Sequence, residues 1–324
     1  ARHRVSGVGI PSFADARSTP LPRDHCRSRG LVKIVARERF GADVHGVDLL
    51  QLEAADVAAL KRAVYEHKLL VFRNVALDEP SYVAMARRFG VPQRYFQSHY
   101  HHPAHPEIFV SNNVQAGGSK FGVAGTGRMW HSDYQFFAEP LPLTFVMPVI
   151  VPPGGSRGTM FVDMVEALRE LPPDLHEALR ARRCFQDAVY YYKVQPADID
   201  RGIGELMAEF HRAAPGASHP AVIRHPVLDR QALYVSSGFT QHVEGLPHEA
   251  SRELLQRVFA HVEAEARVQT VAWQPGDLLF WDNRQLIHRS TGTLHGQPSR
   301  SYRIGVYDGL PFHPGLPVTG DVQP

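Results

Sequence analysis

Cysteine is scarce in this 324-residue chain: only Cys26 and Cys184 occur, so no disulfide framework is available. That usage points to a reducing cytoplasm. No apolar run approaches the roughly 20 residues that span a bilayer, and Ala1-Arg2-His3-Arg4 is not followed by the apolar core of a secretion signal. A dominant charge is lacking too. The 35 basic and 33 acidic residues leave a formal charge of +2, with no basic block beyond the N-terminal arginines. Neither nucleic acid nor a membrane is therefore an expected partner. No internal repeat and no linker divides the sequence, and 44% hydrophobic residues suffice for a sizeable core. The expectation is a soluble, cytoplasmic protein. Its oligomeric state is not legible.

Residues 1–30 are rich in Arg, Pro and Ser without periodicity, and read as a loosely ordered extension. Residues 31–324 read as one domain. Leu31–Val35 alternates like a strand. Val57, Leu60 and Val64 mark an amphipathic helix over Ala54–His67, Leu69–Phe72 a buried strand, and Glu79–Phe89 a second helix. Strand texture returns at Glu107–Ser111, Leu143–Met147 and Thr159–Val162, and helices are expected at about 163–182. Ala188–Val194 reads as an aromatic strand and Leu233–Ser236 as another. A helix is expected over Ser251–Ala264, then strands over Val268–Trp273, Asp277–Trp281 and Ser301–Tyr307. The class is α+β, and many short strands with Gly and Pro turns suggest a double-sheet jelly roll.

Residues 92–130 form a long irregular stretch with Tyr95, Tyr100 and four histidines between 99 and 105. The spacing is irregular and no cysteine lies within it, so a lid is a better reading than a zinc site. Directly after it comes Trp130-His131-Ser132-Asp133-Tyr134-Gln135-Phe136. In an extended strand, residues i and i+2 share a face, so His131 and Asp133 can converge. One further histidine would complete a two-His-one-carboxylate triad, which suits Fe(II) and leaves open positions. His288, in the segment Phe280-Trp281-Asp282-Asn283-Arg284-Gln285-Leu286-Ile287-His288-Arg289, is the candidate.

With Gly154-Gly155-Ser156-Arg157-Gly158-Thr159 between these motifs and Ser301-Tyr302-Arg303-Ile304-Gly305-Val306 after them, the chain resembles the taurine/2,4-D dioxygenase family over roughly residues 30 to 310. The resemblance implies a double-stranded β-helix with flanking helices. It also implies Fe(II) held by His131, Asp133 and His288, and 2-oxoglutarate held by Thr159 and Arg303, with O2 as oxidant. A carboxylate entering a water-poor pocket needs a cation with fork geometry, which Arg303 supplies. An intact Asp133 favours oxygenation over halogenation. A zinc hydrolase and a non-catalytic binding protein are the readings from other classes; neither requires Thr159 and Arg303.

Within the family, the stretches Tyr95–Pro103, Glu107–Ser111 and Trp130–Phe136, Arg157-Gly158-Thr159 and the Trp281–Arg289 segment resemble enzymes that make isonitriles from N-carboxymethyl-3-amino acids. That resemblance implies substrate carboxylates held by Tyr95, Tyr100, Arg157 and Lys193. The chain departs from the group at Gln195, where an Arg is expected, at Gly292, where a His is expected, and at Phe96, where a Tyr is expected. His295 is the nearest imidazole to the second of these. The alternative function is hydroxylation or oxidative C–X cleavage of a different small anion, such as an amino acid, sulfonate, aryloxyacetate or nucleotide.

Overall fold

Each helix of the first segment is fixed at its start by a side chain. The computed structural model describes residues 32–114, 121–292 and 296–316, so the extension over 1–30 and His295 lie outside the described residues. After the hairpin β1 (Lys33–Ala36) and β2 (Ala42–His45), helix α1 (Ala54–His67) opens with a reciprocal capping box between Glu53 and Asp56. Strand β3 (Leu69–Phe72) follows. Helix α2 (Glu79–Phe89) is capped by Asp78, which accepts from the Ser81 amide at 2.9 Å. All three elements, α1, β3 and α2, lie where the hydrophobic spacing puts them.

Strands β4 (Val91–Gln93) and β5 (Phe109–Asn112) precede β6 (Leu143–Ile150) and β7 (Gly158–Asp163). The helical region at 163–182 is two short helices, α3 (Met164–Arg169) and α4 (Pro173–Leu179), divided at Pro172-Pro173. Then come β8 (Arg183–Gln186), α5 (Ile203–Ala213), β9 (Ala217–Pro220), β10 (Val222–Arg224), β11 (Gln231–Leu233) and β12 (Thr240–Val243). Helix α6 (His248–Val262) leads to β13 (Gln269–Ala272), β14 (Leu278–Asp282), β15 (Leu286–Ser290) and β16 (Arg300–Tyr307).

The largest sheet runs β1-β2-β3-β14-β6-β16-β4, with β5 also paired to β16, and only β2 and β3 in it are parallel. A three-stranded sheet runs β13-β7-β15. Alternation along each strand assigns the two faces of the large sheet. Leu70, Phe72, Phe145, Phe280 and Ile304 pack under α1 and α2, with Leu60, Val64, Tyr82 and Phe89. Leu69, Val71, Val146, Leu279 and Trp281 face the other way and share a core with Phe161, Val271 and Leu286 of the small sheet. The two sheets thus meet face to face, giving a mixed α/β architecture of many strands and few helices.

Three expectations need correction. The His131–Asp133 pair is not in a strand: His131 makes a one-residue bridge to His288, and the chain turns at once, with Tyr134 at φ +54°. Ala188–Val194 is not a strand either; Asp187 accepts from the Val189 amide at 2.8 Å and starts a tight helical turn over Val189–Tyr191. The strand expected over Leu233–Ser236 ends at Leu233, because the Ser236 amide donates to the Thr240 hydroxyl and the backbone bends there. No helix among the described residues is long and apolar enough to cross a membrane.

Candidate active site and metal centre

A reciprocal backbone clip builds the centre: the His131 amide donates to the His288 carbonyl at 3.0 Å and the His288 amide to the His131 carbonyl at 2.8 Å. It brings together residues 157 positions apart in sequence, with ring centroids 4.3 Å from each other. The turn after His131 then supplies Asp133. His131 Nε2 lies 3.8 Å from Asp133 Oδ1 and His288 Nε2 3.9 Å from Asp133 Oδ2. One ligand atom from each residue falls within 4.8 Å of the others. The convergence expected from a strand is thus achieved by a bridge and a turn.

Charge states suit metal binding. Burial holds the His288 imidazole down at about 3, and lowers His131 as well. Both rings are therefore neutral at pH 7, as ligands must be. The His131 ring is further oriented by its Nδ1, 2.7 Å from the Met129 carbonyl, which leaves Nε2 facing Asp133. Burial pushes the Asp133 carboxyl up, but Arg303, His288, His131 and the Thr144 hydroxyl together outweigh it and bring it to about 2. Two neutral imidazoles and one ionised carboxylate are the donor set of a facial Fe(II) site.

A relay behind Asp133 fixes its orientation. Thr144 Oγ1 donates to Asp133 Oδ2 at 2.6 Å and accepts from Asn283 Nδ2 at 2.8 Å. Asn283 Oδ1 accepts from Trp281 Nε1 at 2.8 Å. Every member is buried. Sequence reasoning missed Thr144, although a lone hydroxyl inside the apolar run Leu143–Met147 is the signal that could have found it. Thr144→Val keeps the shape and removes the relay, and Fe(II) affinity is expected to fall about 10- to 100-fold. Equilibrium titration with Fe(II) checks this; an unchanged affinity would remove Thr144 from the site.

The nine residues singled out from the sequence all line one cavity of about 590 Å³: His131, Asp133, His288, Thr159, Arg303, Tyr95, Tyr100, Arg157 and Lys193. Their contacts within it form one group around Arg303 and another around Arg157. Arg303 Nη1 donates to Asp133 Oδ1, and its guanidinium lies 4.3 Å from the Phe109 ring centroid. Tyr95 and Tyr100 pack edge to face at 5.0 Å beside it, and Tyr100 stacks on Phe109 at 4.6 Å. Thr159 accepts from Trp273 Nε1 at 3.1 Å, and the Arg157 guanidinium lies over that same indole. Lys193 Nζ donates to the carbonyls of Ala124 and Gly125 at 2.7 and 2.6 Å, and burial lowers it to about 8. Trp273, Ser290 and Arg128 also line the cavity and carried no sequence signal beyond residue type. Among the described residues, no second cluster of His, Cys, Asp or Glu is placed to hold a metal, so the histidines of 99–105 form no such group.

The sequence matches the model of the taurine catabolism dioxygenase TauD, TfdA family over residues 27–304. Pentalenolactone F synthase of Streptomyces avermitilis is 31% identical over 266 residues, which are 77% of this chain and 85% of that protein. The alpha-ketoglutarate-dependent 2,4-dichlorophenoxyacetate dioxygenase of Cupriavidus pinatubonensis is 30% identical over 261 residues, covering 77% of this chain and 88% of that one. A taurine dioxygenase from Burkholderia xenovorans superposes with a TM-score of 0.68 at 24% identity, over 87% of this chain and 93% of its own. AAD-2, solved with Mn(II) and N-oxalylglycine, gives 0.68 at 22%, over 87% and 100%. At those identities the two structures speak for the fold. With a family match across most of the sequence and a donor set that fits Fe(II), the chain belongs to the TauD, TfdA family and is a non-heme dioxygenase that uses Fe(II), 2-oxoglutarate and O2.

Proposed function

We propose that this dioxygenase oxidises a small, carboxylate-bearing, amino-acid-like anion in the cytoplasm, as a single oxygenase domain over residues 31–324 built as a double-stranded β-helix. The leading reaction is isonitrile formation from an N-carboxymethyl-3-amino acid, by two successive two-electron oxidations with loss of CO2. One observation carries the choice of an anion. Arg128, Arg157, Lys193 and Arg303 line the cavity against a single acidic side chain, Asp133. A surplus of cations around one cavity, with the Arg157 guanidinium buried, is costly until anions fill it.

In this reading His131, Asp133 and His288 hold Fe(II), and Thr159 contributes to the cosubstrate pocket. Bound iron, 2-oxoglutarate and dioxygen supply the oxidation, with succinate and CO2 as coproducts. The chain's own part is positioning and exclusion of water. Tyr95, Tyr100 and Lys193 stand around the cavity with hydroxyls and an ammonium for a polar substrate, while Phe136 and Phe239 give it an apolar side. A substrate carboxylate would displace the loop carbonyls from Lys193, since a bond between two ions is stronger than one from an ammonium to a neutral carbonyl.

The second reading is hydroxylation or oxidative C–X cleavage of another small anion. It is favoured by Gln195, whose Nε2 is taken by the Lys193 carbonyl at 2.8 Å, and by Gly292, whose φ of +81° suits glycine better than histidine. Relatives named for a 2,4-dichlorophenoxyacetate and for a sulfate ester substrate fit it too. Aerobic turnover with Fe(II) and 2-oxoglutarate against N-carboxymethyl-3-amino acids, aryloxyacetates, sulfonates and sulfate esters separates the two. We expect an isonitrile with two succinates per product from the first group. A product carrying one added oxygen, or turnover confined to the other groups, would leave only the second reading.

A further inference from the structure

The cavity contains two arginines in opposite situations. Arg303 faces a carboxylate, that of Asp133. Arg157 is 5% exposed and has no ion-pair partner among the described residues. Its Nη1 donates to the Ser290 hydroxyl and reaches the Gly292 carbonyl at 3.4 Å, its Nε has no hydrogen-bond partner, and its guanidinium lies 4.6 Å from the Trp273 ring centroid. A desolvated guanidinium satisfied only by a hydroxyl and a carbonyl is a site prepared for an anion.

Its neighbours supply the rest of an anion pocket. Thr159 Oγ1 accepts from Trp273 Nε1, so its own proton is free for another acceptor. In the β7–β15 ladder Thr159 stands opposite Ser290, and Phe161 opposite His288. Ser290 is two residues from His288, on the same face of the strand and about 6.6 Å along it. The Arg157–Thr159–Ser290 cluster therefore lies one side-chain step beyond a metal ligand. A chelating keto acid whose carbon chain runs along the strand would bring its second carboxylate there. Arg303 touches a metal ligand itself, which puts its fork at the iron end of the cavity.

We propose that Arg157, with the Thr159 and Ser290 hydroxyls over Trp273, seats the distal carboxylate of 2-oxoglutarate, and that Arg303 serves the carboxylate of the substrate near the metal. The two arginines thus exchange the roles that the sequence motif implies for them. The assignment rests on the Fe(II)/2-oxoglutarate chemistry of the chain.

Anaerobic titration of the Fe(II)-loaded protein tests it. Calorimetry and the charge-transfer absorption of an iron(II)-bound 2-keto acid are the two readouts. Two ligands are compared, 2-oxoglutarate and 2-oxopentanoate, which has the same chelating end and no distal carboxylate. Wild type should prefer 2-oxoglutarate by about 100-fold or more, the scale of a buried charge pair. Arg157→Met should abolish that preference by weakening 2-oxoglutarate alone, leaving the affinities for 2-oxopentanoate and Fe(II) within a few fold. Thr159→Val, a milder change, should lose about 10-fold of the preference. Arg303→Met should keep it. Loss of the preference in Arg303→Met with its retention in Arg157→Met would overturn the assignment. Wild type that binds 2-oxopentanoate as well as 2-oxoglutarate would overturn the distal pocket itself, and wild type that binds neither would overturn the parent chemistry along with it.

Discussion

His288→Ala is expected to abolish 2-oxoglutarate-dependent succinate formation, with a loss well beyond the roughly 100-fold that follows from disturbing a residue behind a metal ligand. The imidazole leaves a site in which only His131 and Asp133 remain, and among the described residues no other His, Cys, Asp or Glu is placed to replace it. The fold should survive the change. The clip between His131 and His288 is made by backbone atoms, and the β15 pairing to β7 runs through Leu286, Ile287, Arg289 and Ser290 as well. Far-ultraviolet circular dichroism should therefore match wild type while Fe(II) titration shows the lost affinity. Succinate formation within 10-fold of wild type would exclude His288 as a ligand. His131→Ala should behave alike, and a wild-type-like fold in both variants would locate the defect at the metal.

The metal centre was legible in the sequence because its chemistry restricts residue types. His131, Asp133 and His288 converge although the geometry assumed for them was mistaken: spacing alone cannot distinguish a strand from a bridge that breaks into a turn at Tyr134. The helices α1 and α2 were legible from their apolar faces, since each packs on one side of a sheet. The aromatic stretch Ala188–Val194 was not, because the Asp187 carboxylate that accepts from the Val189 amide turns the chain there and overrides strand propensity. The two arginines show the same limit at the level of roles. A motif locates Arg157 and Arg303 in one cavity, but which of them already has a counterion depends on where the turn after His131 carries Asp133, which no local pattern connects to either arginine. The Trp281–Arg289 segment is a further case. Its recognisable letters suggest catalysis, yet only His288 enters the metal set, while Trp281 and Asn283 hold Asp133 in place and Asp282, Arg284 and Gln285 are committed to the interior.

Arg284→Ala is expected to destabilise the protein by about 3–5 kcal/mol, a large share of the roughly 5–15 kcal/mol that keeps a domain folded. Arg284 is 1% exposed. Its two terminal nitrogens form a fork on Asp308, at 2.8 and 3.0 Å, and its Nε donates to the Phe312 carbonyl at 3.0 Å. Tyr65 adds a 2.7 Å hydrogen bond to the same carboxylate. Truncation thus strands Asp308 as a buried charge and frees the segment 308–312 from the loop behind the metal. The pH dependence gives the diagnostic sign. Burial pushes the Asp308 carboxyl up, but Arg284 and Tyr65 outweigh it and hold it below its ordinary value. A depressed carboxyl contributes stability above its unfolded value of about 3.9, and that contribution is lost as pH falls through the folded value. Without Arg284 the carboxyl titrates upward and can take a proton instead. The gap in urea midpoint between wild type and variant should therefore be wide at pH 7 and narrow towards pH 4. Arg284→Met with Asp308→Leu should recover part of the loss, since no lone charge is left inside. A gap independent of pH, or no recovery in the double variant, would assign the loss to packing over Phe312 instead. In either case Fe(II) affinity of the folded fraction should stay within a few fold of wild type, because Asn283 reaches Asp133 through Thr144 and not through Arg284.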